Sequence, residues 1–125
     1  MKYLIDKQEK YSLITLEEEK LDMTVSPQLK SELITLNAEG YYNIILDLSK
    51  TKFSDSSGLS AILVANRLCS SSEGLFILTG VNENLYKLIK ISQLDTIINL
   101  LPSVQEAIDG VFMHELEKEM NKEEE

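Results

Sequence analysis

Two short apolar runs, Ile44 to Leu48 and Leu75 to Thr79, constrain the fold of this chain more than any other feature. A strand with one wet face alternates apolar and polar residues; these runs do not alternate and read as strands covered on both sides. Such cover comes from helices packed on the two faces of a sheet. Flanking segments supply them. Before the first run, Leu29, Leu33, Ile34 and Leu36 recur at helical spacing, with Ser26-Pro27 read as an N-cap and first-turn proline and Gly40 as the stop. After it, a helix is predicted from about Ser57 to about Ser71, with Leu59, Ile62, Leu63, Ala65 and Leu68 as its apolar stripe. Ser70-Ser71-Ser72-Glu73-Gly74 breaks that helix ahead of the second run.

The ends of the chain complete the pattern. Tyr3-Leu4-Ile5 and Tyr11 to Leu16 read as antiparallel strands joined by the polar Asp6 to Lys10, with Tyr11, Leu13 and Thr15 on one face. Asn82 caps a short helix carrying Leu85, Leu88, Ile89 and Ile91, and Ile97 to Leu100 forms a last short strand. Pro102 and Ser103 open a final helix with Val104, Ala107, Ile108, Val111 and Phe112. The order β-β-α-β-α-β-α-β-α is that of an α/β protein, a mixed sheet of about five strands packed by about four helices. Met23, Phe53, Phe76 and Phe112 fall at positions read as core.

A chain of 125 residues, 43% of them hydrophobic, has room for one core. The domain is expected over residues 1–114, with 115–125 an acidic tail or helix end, since Glu115 to Glu125 holds six glutamates and two lysines. The net charge of −9 opposes binding to nucleic acid or an anionic membrane and favours basic protein partners. Cys69 has no second cysteine to pair with and reads as a small core or rim residue. With no signal-like start, the cytoplasm is the expected compartment. Every apolar run falls far short of the roughly 20 residues that span a bilayer, so no membrane insertion is expected.

Chemistry concentrates in Asp55-Ser56-Ser57-Gly58-Leu59, between the first buried strand and the helix after it. A helix start offers unpaired N–H groups and the positive end of the macrodipole, which tolerate an added phosphate. Catalysis by either hydroxyl would need a base, and the one histidine, His114, stands at the edge of the acidic helix. The nucleophile-elbow pattern fails, with Asp55 and Leu59 where glycines belong, and the five glycines form no nucleotide fingerprint. No loop of the EF-hand kind occurs. The residues therefore imply no enzyme, no metal and no cofactor.

This arrangement resembles the STAS domain, and most closely the bacterial anti-anti-sigma factors (anti-sigma factor antagonists), from Tyr3 to about Phe112. The resemblance rests on Asp55-Ser56-Ser57-Gly58-Leu59 in this element order, with Lys20-Leu21-Asp22, Ile45-Leu46-Asp47-Leu48-Ser49 and Leu88-Ile89-Lys90-Ile91-Ser92-Gln93-Leu94 in support. It implies partner switching: the unphosphorylated antagonist binds an anti-sigma factor that is also a serine kinase, phosphorylation reverses the binding, and a serine phosphatase restores it. The family's phosphorylated serine precedes the glycine, which is Ser57 here, with Ser56 the second choice. The implied partner surface joins Asp22, Met23 and Thr24 to Asp55, Ser56, Ser57, Gly58 and Leu59. The chain departs from many relatives at Glu19, where they carry glycine, and at Ser60, where they carry a small residue or glycine. The alternative is a STAS interaction module in another assembly, such as a lipid-transport complex, with the serines serving only as a helix cap.

Physical chemistry frames several readings. A phosphate on Ser57 is expected over the N–H groups of Leu59 and Ser60, opposed by Asp55, so that the fold changes little. Gly58 answers either a close approach by a partner or a tight turn, and Asp55 is an N-cap, a serine-orienting group, or both. Asp22 reads as a solvated loop acid, and Asp47 as a strand residue that hydrogen-bonds a neighbouring turn.

Overall fold

The computed structural model describes residues 1–124; Glu125, the last residue of the acidic segment, lies outside the described residues. Five strands form the main sheet: β1 (Tyr3–Lys7), β2 (Ser12–Leu16), β4 (Ile44–Asp47), β6 (Phe76–Thr79) and β7 (Asn99–Leu101), in the order β1-β2-β4-β6-β7. β1 runs antiparallel to β2, and the other pairings are parallel. Two further strands of two residues each, β3 (Lys20–Leu21) and β5 (Phe53–Ser54), pair in parallel outside that sheet. The helices are α1 (Ser26–Ala38), α2 (Ser56–Ser71), α3 (Glu83–Ile91) and α4 (Val104–Glu124).

The unalternating runs have the double cover they require. Ile44, Leu46, Phe76 and Leu78 join Ile14 and Leu16 in a core closed by Leu29, Leu33 and Leu36 of α1, Ile62, Ala65 and Cys69 of α2, and Leu85 and Ile89 of α3. On the opposite face, Ile45 and Ile77 pack on Ala107 and Val111 of α4. At roughly 1.5–3 kcal/mol for each large side chain fully buried, these two clusters supply the main drive to fold. No helix among the described residues is long and apolar enough to cross a membrane.

The structure corrects several expectations. Ser26 is not the N-cap of α1: Val25 holds that position without a side-chain bond, and Ser26 is a buried first-turn residue whose hydroxyl donates to the Asp22 carbonyl at 2.7 Å. A helical turn already closes on that carbonyl before the helix proper, through the N–H groups of Val25 and Ser26. Ile34 faces outward, because Leu29, Leu33 and Leu36 fill the buried side of the helix. The buried stripe of α2 is Gly58, Ala61, Ile62, Ala65 and Cys69, rotated from the one expected. Mostly small residues form it because α2 lies close against α1 and its Gly58 against Leu21 of β3, which leaves Leu59, Leu63 and Leu68 only half-buried at the rim. The last strand begins at Asn99, after a 3₁₀ turn at Leu94–Thr96. Of the four residues read as core, Phe76 is buried, whereas Met23, Phe53 and Phe112 are exposed. Glu115, the first residue of the segment read as an acidic tail or helix end, lies within α4, and its carboxylate accepts a 2.7 Å bond from the buried Asn43 amide.

Candidate phosphorylation and partner-binding site

β3 and β5 place two loops side by side. Their register pairs Leu21 with Ser54, so Asp22 and Asp55 follow at neighbouring positions, and the Asp55 N–H donates to the Leu21 carbonyl at 3.2 Å. Glu19 supports this mini-sheet, its carbonyl accepting from Lys52 and Phe53 at 2.7 and 3.1 Å. The glutamate fits without a left-handed backbone; among the described residues, only Glu73 and Gln93 adopt one without being glycine.

Each loop acid organises the turn behind it. The Asp22 carboxylate accepts from the Thr24 N–H at 3.0 Å and the Thr24 hydroxyl at 2.6 Å, which holds its pKa below the ordinary carboxylate value while nearby Asp55 pushes it the other way. Asp55 is the N-cap of α2, as the sequence suggests. Its Oδ1 accepts from the Ser57 hydroxyl at 2.5 Å and from the N–H groups of Ser57 and Gly58 at 2.9 and 3.1 Å. These bonds, that of the hydroxyl foremost, lower the Asp55 pKa, and the Met23 N–H adds to them across the two loops. Asp47 forms the expected turn bond, accepting from the Ser49 N–H at 3.0 Å.

Ser57 is the hinge of the site. Besides Asp55, its Oγ lies 3.0 Å from the Oγ of Ser26 on α1, so the first turns of α1 and α2 meet through two hydroxyls. The hydroxyl proton goes to the carboxylate, the stronger acceptor. Ser57 is half-buried and opens on a hollow of about 210 Å³ lined by Met23, Ser26, Pro27, Lys30 and Ser60. Ser56 is exposed beside it. Neither Ser26 nor Lys30 carries a sequence signal that would assign it to this site; the packing of α1 on α2 brings both there.

The expected phosphate contacts do not survive. The Leu59 N–H is held by the Asp55 carbonyl at 3.2 Å, and the Ser60 N–H lies beyond the first four, the only ones a helix start leaves unpaired. Of those first four, the N–H groups of Asp55, Ser57 and Gly58 are satisfied within the chain.

The residues expected to form a partner surface divide by exposure. Asp22, Met23, Thr24, Asp55, Ser56 and Ser57 share one face, and Met23 is 74% exposed. Gly58 is buried and shapes that face from beneath: a Cβ there would collide with the Ser54 hydroxyl of β5 and stand 2.6 Å from the Leu21 carbonyl oxygen and 2.7 Å from Leu21 Cγ. The close approach that requires glycine is thus made by the chain's own β3 and β5. Leu59 leans on the main core. His114 lies elsewhere, its Nε2 3.0 Å from the carbonyl of Glu73, two residues past the far end of α2.

Comparison with known proteins converges on one family. The STAS domain model matches residues 4–107. A Thermotoga maritima protein bearing the name anti-sigma factor antagonist is 33% identical over 73 residues, 58% of this chain and 65% of the relative, just under two thirds of its length. The crystal structure of a T. maritima protein of that name superposes with a TM-score of 0.78 at 25% identity, covering 87% of this chain and 93% of the other. The Bacillus cell fate determinant SpoIIAA, in its phosphorylated form, shares the fold with a TM-score of 0.70 at 24% identity, over 88% of this chain and 99% of the other. With the family match spanning most of the sequence, and the five-stranded mixed sheet and its helices agreeing with it, the chain belongs to the STAS domain family.

Proposed function

We propose that this protein is a cytoplasmic anti-sigma factor antagonist, switched off by phosphorylation of Ser57. It binds an anti-sigma factor that is also a serine kinase, and a serine phosphatase resets it. The observation that carries this reading is the setting of Ser57. Its hydroxyl is oriented by Asp55 at 2.5 Å, at the lip of a hollow, on a face shared with the Asp22 loop. The names of the T. maritima relatives and the existence of a phosphorylated form of SpoIIAA support it.

In the switching step the γ-phosphoryl group of ATP moves to Ser57 Oγ, ADP leaves, and the hydroxyl proton departs to the kinase's base. That proton is the one donated to Asp55, so phosphorylation breaks the 2.5 Å bond and sets a group of charge about −1.5 to −2 beside a carboxylate. Little else in the core depends on the hydroxyl, so the change acts on the surface presented to the partner. Partner binding is lost through like-charge repulsion and a blocked approach, with the fold retained.

The test is to incubate the protein with a candidate anti-sigma kinase and ATP and to locate the phosphate by mass spectrometry. Phosphate on Ser57, absent in Ser57→Ala, together with loss of kinase binding in Ser57→Asp, is the expected result. Phosphate on neither Ser56 nor Ser57, with unchanged binding by Ser57→Asp, would overturn the reading in favour of an unswitched interaction module.

A further inference from the structure

We propose that Lys30 is the residue that receives the phosphate on Ser57, drawing it into the hollow between α1 and α2 and away from the α2 N-terminus. The proposal rests on the reading that Ser57 carries the phosphate. Of the N–H groups that open α2, only that of exposed Ser56 has no bond within the chain among the described residues. Asp55 already occupies the N–H groups of Ser57 and Gly58 through its carboxylate and that of Leu59 through its carbonyl. A phosphate turned toward these groups would meet a carboxylate before it met a donor.

The other direction is open and carries the opposite charge. Ser26 and Lys30 are one turn apart on α1, and Ser57 and Ser60 are one turn apart on α2. The 3.0 Å contact between the Ser26 and Ser57 oxygens fixes these two helix faces against each other. Between them lies the hollow of about 210 Å³, space for a phosphoryl group together with several waters at about 30 Å³ each. Lys30 is the one cationic side chain among its six lining residues. Its four-carbon stem lets the ammonium follow the phosphate. Rotation of Ser57 about χ1 carries the phosphate from Asp55 toward Lys30, with the Ser26 hydroxyl a second donor once it releases the Asp22 carbonyl.

The consequence is a change in what the partner meets. Before modification the face offers the Lys30 cation beside two carboxylates, Asp22 and Asp55. Afterwards the cation is neutralised internally and the phosphate's remaining charge adds to the acids. A single modification thus removes a positive feature and adds a negative one.

The test incorporates phosphoserine at position 57 during translation, so no kinase is needed, and follows the second ionisation of the phosphate by ³¹P NMR. Lys30→Met is expected to raise the titration midpoint by about 0.5 pH unit, the size of one partly exposed ion pair. Lys30→Arg is expected to restore it, and Lys87→Met, on α3, to leave it unchanged. The other charges near the site, Asp55 at the α2 cap, Asp22 in the loop before α1 and Lys20 beside Asp22, are common to every variant. Equal midpoints in the wild-type chain and Lys30→Met, or an equal rise in Lys87→Met, would overturn the assignment. Because the phosphate is installed without a kinase, that outcome leaves the switching reading intact; failure of a kinase to label Ser57 would count against switching alone.

Discussion

Gly58 and Gly110 both lie within helices, yet replacing each with alanine is expected to move stability in opposite directions. Helix propensity alone favours alanine by about 1 kcal/mol at a helix interior. At Gly110 in α4 the new Cβ would find Ile77 Cδ1 at 3.4 Å and Leu101 Cδ1 at 3.6 Å, ordinary contact distances. Gly110→Ala should therefore stabilise by about 0.5–1 kcal/mol. At Gly58 the Cβ would stand 2.6 Å from the Leu21 carbonyl oxygen, so β3 must recede by about 0.8 Å to reach ordinary contact. Leu21 is fully buried and its carbonyl accepts the Asp55 N–H at 3.2 Å, a bond that such a movement breaks. Overpacking of about 1–3 kcal/mol and a lost hydrogen bond of about 1 kcal/mol outweigh the propensity gain, for a net loss of about 2 kcal/mol. For a domain of this size that lowers Tm by about 6–10 °C. Thermal and urea unfolding of the two variants would measure both changes, and native-state hydrogen exchange should show the Asp55 amide exposed in Gly58→Ala. A Gly58→Ala protein as stable as wild type, or a destabilised Gly110→Ala, would refute the argument.

Further outcomes follow from buried polar groups and from the cap. Asn43→Ala should cost about 2–4 kcal/mol in urea unfolding, because the buried amide donates to the Lys10 carbonyl at 2.9 Å and accepts from the Leu75 N–H at 2.9 Å, tying the starts of β2 and β6. The same amide holds the Glu115 pKa below its ordinary 4.5, so the stability Glu115 contributes is present above that value and is lost as pH falls through the folded one. Glu115→Gln should flatten the stability profile in that acidic window. Thr79→Val should raise stability by about 1 kcal/mol, since the Thr79 hydroxyl is buried and has no hydrogen-bond partner among the described residues. Asp55→Ala should lower Tm more than Asp55→Asn, which keeps an acceptor for the Ser57 and Gly58 N–H groups. The charge-dependent part of the Asp55 contribution should likewise fade as pH falls through its lowered pKa.

The main sheet was legible because burial on both faces leaves a direct mark: Ile44 to Leu46 and Phe76 to Leu78 cannot alternate when helices cover each side. Asp55 and Asn82 were legible for a local reason, because a cap is a bond between a side chain and an N–H two or three residues on. β3 and β5 were not legible, since two residues carry no period and their pairing is a contact across more than 30 positions. The exposure of Met23 and Phe53 is not legible either, because an apolar residue in a short loop or a two-residue strand reads as core until the direction of that segment is known.

The sequence by itself determined the α/β order, the family resemblance, the capped serine pair and the acidic terminus. All of these are written in spacing and residue type along the chain. Tertiary structure alone decided that Gly58 is reserved for the backbone of β3, that Ser26 meets Ser57, that Lys30 borders the same hollow, and that Asn43 binds Glu115. Each of these joins residues 27 to 72 positions apart, and such contacts leave no periodic trace, because they are set by how α1 and α2 pack together and where α4 crosses the sheet.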